Sequence, residues 1–174
     1  GYTVASGGSL QSIAGSPFAA GNGPNALVVT PSERYLYVAN FIDNTVSGFN
    51  IDSATGALTE ALDSPFAAGM GPFAVAVDPA GATLYVTNIS SNNVSAYTID
   101  ASTGATTMLT ASPFAAGTRP VSATVDSAGA FLYVCNQSSK NITKFQINPD
   151  TGGLPASSIT ATTQLAPSVL VLAK

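Results

Sequence analysis

A chain of 174 residues, 45% of them apolar, can bury one sizeable core, yet only 8% are charged, against roughly 25% in an ordinary soluble domain. A formal net charge of −4 with five scattered basic residues (Arg34, Arg119, Lys140, Lys144 and Lys174) argues against a nucleic-acid partner. No apolar run approaches the roughly 18 residues of a membrane-spanning helix, and the single cysteine, Cys135, leaves no intrachain disulfide.

In chain order, Tyr2-Thr3-Val4-Ala5-Ser6 lines up with Phe49-Asn50-Ile51-Asp52-Ser53, and Ser9-Leu10 with Ala57-Leu58 after one residue of slippage. Ser-Pro-Phe-Ala-Ala-Gly then begins at Ser16 and returns at Ser64 and Ser112, a period of 48 residues. The same offset links Pro24, Pro72 and Pro120; Tyr37, Tyr85 and Tyr133; Asn40, Asn88 and Asn136; and Gly56, Gly104 and Gly152. The repeats are 16–63, 64–111 and 112–159, with partial units at 1–15 and 160–174, in one domain. Within the first repeat four strand-like runs follow one another, Ala26–Thr30, Tyr35–Asn40, Thr45–Ile51 and Ala57–Leu62. The innermost strands of the three repeats are predicted at Ala26–Thr30, Ala74–Asp78 and Ser122–Asp126. Asp78-Pro79-Ala80-Gly81 and Asp52-Ser53-Ala54-Thr55-Gly56 have the composition of tight turns between them. The first two runs of each repeat are apolar without alternation, which means burial on both faces. Cys135 replaces Ala39 and Thr87, and so reads as a small core residue.

Four strands at this period predict an all-β β-propeller of four-stranded blades, each covered by its neighbours. About three and a half blades fit in the chain. Gly1 matches Gly48 inside a strand, which predicts that N-terminal blades lie outside this sequence; closure by a second copy comes next. Pro167–Leu172 is predicted to be a paired innermost strand, joined by Tyr2–Ala5 if the ring closes within one chain. Phe18, Phe66 and Phe114 are predicted to be buried in equivalent positions between blades.

Leu84-Tyr85-Val86-Thr87-Asn88 contains the Tyr-Val-Thr-Asn motif that names a bacterial and archaeal propeller-repeat family. Leu36-Tyr37-Val38-Ala39-Asn40 and Leu132-Tyr133-Val134-Cys135-Asn136 are close variants, and Gly71-Pro72, Asp78-Pro79-Ala80-Gly81 and Asn93-Val94-Ser95 complete the pattern. Over its whole length the chain resembles that family and the lactonase superfamily, which is similar to 6-phosphogluconolactonases. The resemblance implies seven blades when complete and a lactonase-like activity.

A lactonase needs a base to activate water and donors or cations to polarise an ester carbonyl. The chain has no histidine. Glu33 takes the place of Gly81 and Gly129 in a turn, with Arg34 beside it, and Glu60 lies on an outermost strand. All three read as solvated, so no catalytic residue is expected. Arg119 replaces Gly23 and Gly71 before the proline of an innermost strand, and is the one candidate for ligand binding, through an anion. Asp52, Asp100 and Asn148 recur once per unit; the third adds Asp150 to Asn148, still too few oxygens for a calcium loop, so Asx turns are expected and no metal or cofactor. Asn40, Asn88 and Asn136 look like turn formers at strand ends. Asn88, Asn93, Asn136 and Asn141 fit the N-glycosylation acceptor pattern, which a sequence rich in Asn, Ser and Thr produces freely.

Near-identical units present the same surface repeatedly, whereas a catalytic site needs unlike residues at one point. The first expectation is therefore a non-catalytic extracellular or cell-surface scaffold for binding or assembly, with other copies of itself, missing blades, or a protein or glycan ligand as partners. The second is part of a lactonase-like hydrolase whose site residues lie outside this chain; the third is a subunit of a self-assembled filament or ring. By itself the chain is expected to have no lactonase activity.

Overall fold

The computed structural model describes residues 1–155 and 159–170. No helix occurs among them. A short hairpin, β1 (Tyr2–Val4) and β2 (Leu10–Ser12), precedes three sheets. The first holds β3 (Pro24–Val29), β4 (Tyr35–Asn40), β5 (Thr45–Ile51), β6 (Leu58–Glu60) and β7 (Phe66–Ala67). The second holds β8 (Pro72–Val77), β9 (Thr83–Asn88), β10 (Asn93–Ile99), β11 (Thr106–Met108) and β12 (Phe114–Ala115). The third holds β13 (Pro120–Val125), β14 (Phe131–Asn136), β15 (Asn141–Gln146) and β16 (Ile159–Thr162). Each sheet is an antiparallel meander, the blade predicted from the period.

The innermost strands begin two residues earlier than predicted. Proline starts each one because its missing N–H costs no ladder bond there, and a bulge separates it from the second residue after it, between Pro24 and Ala26, Pro72 and Ala74, and Pro120 and Ser122. The outermost strand is shorter than predicted and broken in two. β6 pairs with one end of β5 and β7 with the other (Phe49 opposite Glu60, Val46 opposite Phe66). Ser64 fills the break by accepting a hydrogen bond from the Gly48 N–H at 3.0 Å, and Ser112 does the same for Ala96. That accounts for the repeated Ser-Pro-Phe. The third sheet lacks the motif at this point, and β16 is one uninterrupted strand opposite Asn141–Lys144.

Apolar faces of neighbouring sheets close against each other. Tyr37 and Val46 of the first pack on Leu84, Val86 and Tyr97 of the second. Tyr85, Val94 and Ala96 pack on Leu132, Val134 and Phe145 of the third. β9 is buried at every residue because it is covered on both sides, as its unalternated sequence predicts. β3 is not: Leu27 is 63% exposed, since no sheet covers that side of the first blade. Phe66 and Phe114 occupy equivalent positions against the two seams but are only half-buried, as is Phe18; the expectation of full burial is corrected, because the ring lies at the outer margin of the seam. Cys135 is fully buried beside Val121 and Ile89.

The terminal expectations also change. β1 pairs with β2 alone, matching β5 with β6 after the one-residue slip, and not with the C-terminal segment. Residues 167–170 are not a paired strand; Leu170 donates its N–H to the Ser122 hydroxyl at 3.3 Å and packs near Val121. The rest of that predicted strand, 171 and 172, lies outside the described residues.

Candidate functional site

At one end of every blade two connections lie together, the crossover into the innermost strand and the hairpin between the second and third strands. The N–H groups of Phe41, Ile89 and Gln137 donate to the carbonyls of Gly23, Gly71 and Arg119 at 2.8, 2.8 and 2.9 Å. Behind these loops stand Asn40, Asn88 and Asn136. They are fully buried hubs, which corrects their reading as turn formers at strand ends. The Asn88 amide donates to Asn93 Oδ1 at 2.8 Å and Ser95 Oγ at 2.9 Å, and its oxygen accepts from the Gly69 N–H at 3.1 Å. Asn136 repeats the two donor bonds with Asn141 and Thr143, and Asn40 with Thr45 and Ser47, although their buried side-chain oxygens accept no hydrogen bond among the described residues. The glycine of Ser-Pro-Phe-Ala-Ala-Gly lies flat on this amide: a Cβ on Gly117 would stand 2.6 Å from Asn136 Cγ. Of the four glycosylation-pattern asparagines, Asn88 and Asn136 are therefore closed inside the fold. Asn93 and Asn141 are half-buried, with their side-chain oxygens engaged by those hubs.

Neighbouring loop ends are tied across the seams. Asn44 and Asn92 both adopt left-handed φ, near 57° and 56°, a conformation asparagine tolerates better than most residues. Asn44 Oδ1 accepts from the Gly71 N–H at 2.7 Å and Asn92 Oδ1 from the Arg119 N–H at 2.8 Å. Lys140 stands at the same position in the third repeat, so the tie ends there. The 48-residue offset between Asn44, Asn92 and Lys140 was the available sequence signal.

Arg119 sits on this rim with φ 63°, where Gly23 and Gly71 have 66° and 64°. An arginine there carries backbone strain on the order of 1 kcal/mol. Its Nε donates to Gln137 Oε1 at 2.9 Å. Asp43, on the corresponding loop of the first blade, accepts from the Asn22 N–H at 2.7 Å and from its amide at 3.0 Å, bonds that hold its carboxyl below the usual range.

The remaining candidates lie elsewhere. Glu33 occupies the predicted turn at left-handed φ 58°, at the other end of the first sheet. Arg34 turns away from it, donating to the Ala101 carbonyl at 3.1 Å and lying over the Tyr35 ring. Glu60 is on β6, accepting from Ser64 at 3.3 Å. The structure thus brings none of these acids to Arg119. Asp52, Asp100 and Asn148 form the expected Asx turns. Asp100 Oδ1 accepts from the N–H and hydroxyl groups of Ser102 and Thr103, which lower its pKa to about 2. Asp52 is lowered by Thr55 and Ala54 in the same way. Asn148 takes two N–H groups, of Asp150 and Thr151. Among the described residues no three Cys, Asp or Glu side chains gather into a metal-binding group.

The model of the lactonase, seven-bladed β-propeller family matches residues 1–171. The chain belongs to that family. Among solved structures it is similar to a protein from Lactobacillus plantarum (25% identity over 97% of this chain and 50% of that one, TM-score 0.81). It is also similar to the periplasmic gluconolactonase of Pseudomonas aeruginosa (21% identity, 91% and 45%, TM-score 0.79). A candidate 6-phosphogluconolactonase from Bacteroides fragilis aligns with 24% identity over 87% and 42%, TM-score 0.77. The chain therefore spans half or less of the length of these structures. No curated protein matches it. Family membership overturns the first expectation, a non-catalytic scaffold, in favour of the lactonase-like alternative. Repeat identity misled because it measures how blades pack, and packing says nothing of residues that another part of a ring can contribute.

Proposed function

We propose that these blades are part of a lactone-hydrolysing propeller. The observation that carries the reading is the match to the lactonase family across residues 1–171. In such a reaction water attacks the lactone carbonyl and the carbonyl–oxygen ring bond breaks. The ring oxygen leaves with a proton, and a hydroxy acid is released. That step needs a base and a stabilised oxyanion. Among the described residues Glu33, Glu60 and Arg119 are far apart in the fold, so the base is assigned to other blades of the ring. A seven-bladed ring needs more than the three sheets seen here, from further residues of the polypeptide or from a second copy. The charge-poor surface, rich in Ser, Thr and Asn, fits a place outside the cytoplasm.

The test is acid release from gluconolactone and 6-phosphogluconolactone by the full-length protein, with its β-sheet content checked by circular dichroism. Turnover supports the reading. A folded full-length protein that turns over neither lactone overturns it. Turnover by the 174 residues alone would move the base into these blades.

A further inference from the structure

We propose that Arg119 and Lys140 form an oxyanion-binding site on the loop end of the third blade, taking a carboxylate or phosphate group of a small ligand. The site is independent of where the hydrolytic base lies.

The inference comes from comparing equivalent loops. In the first two blades the rim position is glycine, and the residue after the buried asparagine is apolar, Phe41 or Ile89. In the third, both change together. Glycine becomes Arg119 in spite of its left-handed φ, and the apolar residue becomes Gln137. The two replacements meet, because Gln137 holds residue 119 at two points: its N–H donates to the Arg119 carbonyl and its Oε1 accepts from Nε, each at 2.9 Å. Asn92 holds the Arg119 N–H at 2.8 Å. Backbone and guanidinium are thus fixed, and Nε to Gln137 is the only side-chain hydrogen bond of Arg119 among the described residues. The two terminal nitrogens remain, the fork that recognises carboxylate or phosphate with two parallel bonds.

The same hairpin changes in charge. Asp43 of the first blade becomes Ser139, and Asn44 and Asn92 become Lys140, which is exposed. One acid is lost and two cations are gained at a loop end that is otherwise uncharged in the second blade. A strained arginine with its own positioning glutamine sits on a loop that is tied to the hairpin carrying Lys140 (Thr118 N–H to Ser139 Oγ, 2.9 Å), an arrangement that fits recognition of an anion better than it fits packing.

The experiment is a titration of the protein with inorganic phosphate and, in parallel, acetate at low ionic strength, followed by amide chemical shifts. Saturable binding is expected, with the largest shifts at residues 118–119 and 137–140. Arg119→Gly restores the residue of the other blades and relieves the strain, so it folds; it should bind at least about tenfold more weakly. Lys140→Asn should weaken binding about threefold, as loss of a single exposed charge does. Tighter phosphate than acetate assigns the site to phosphate groups, and the reverse assigns it to carboxylates. Arg119→Gly binding within twofold of the parent, or saturation by neither anion, would overturn the proposal.

Discussion

The seams between blades and the rim of loops at their ends treat the 48-residue period in opposite ways. Across both seams the same atoms do the same work. Tyr37 OH donates to the Gly104 carbonyl and Tyr85 OH to that of Gly152, each at 2.8 Å. Burial pushes both phenols well above their ordinary pKa. Val46 and Val94 lie at equivalent depth in the two clusters. On the rim the equivalents diverge: Gly23 and Gly71 against Arg119, Phe41 and Ile89 against Gln137, Asn44 and Asn92 against Lys140. A seam is a fitted apolar contact in which any change of volume is felt. A rim loop is free to change once its backbone bonds are kept. Constancy therefore reports packing, and departure marks the places where packing makes no demand. Lys144 shows where the seam rule lapses. It stands in the place of Gly48 and Ala96, on the uncovered side of the third blade, with its ammonium 3.6 Å from the centre of the Phe131 ring.

The largest expected effect tests the seam directly. Leu132→Ala removes a fully buried side chain between the second and third blades and should cost about 2–5 kcal/mol in urea unfolding. Leu27→Ala removes the same atoms from the uncovered side of the first blade, where Leu27 is 63% exposed, and should cost under about 0.5 kcal/mol. Equal losses would mean that something covers the first blade in solution.

A smaller effect separates the buried loop support from the free surface. Gly117→Ala drives a Cβ to 2.6 Å from Asn136 Cγ and from Ser139 Oγ and should cost about 1–3 kcal/mol. Gly7→Ala, with no neighbouring atom within 4 Å, should leave the unfolding midpoint unchanged or slightly raised.

The smallest effect concerns acid. The Asp100 carboxyl, at about 2 when folded, and the lowered Asp52 carboxyl lie below the ordinary unfolded range near 3.9. Their contribution to stability is therefore present above about pH 4 and lost as pH falls through the folded value, near 2 for Asp100. Asp100→Asn should flatten the fall of the unfolding midpoint between pH 4 and 2. The third blade already has Asn148 at this position, held by the same two backbone bonds but uncharged, so Asn148→Asp should steepen that fall. An unchanged slope in either variant would show that hydroxyl and N–H donors do not hold the charge.

Much of this is legible in the sequence alone. The period, the four strands per unit, the Asx turns, the buried Cys135 and the slip that aligns Tyr2–Val4 with Phe49–Ile51 all follow from local pattern. So does Arg119, because a residue that breaks a strict repeat is visible in one dimension. Asn40, Asn88 and Asn136 were misread because an asparagine at a strand end has the composition of a turn; only the hydroxyl and amide partners five and seven residues on make it a core residue. Gln137 was missed because its bond to Arg119 joins residues 18 apart in the chain.

What the sequence determined by itself is the blade, since apolar strand runs, turn residues and a fixed period act within 48 residues. What the tertiary structure decided is which copies of a repeated residue are equivalent in energy. Leu84 and Leu132 are fully buried, while Leu36 of the same motif is only half-buried. The three share one local sequence pattern. They differ because burial is set by the neighbouring sheet, and the first blade has none on that side.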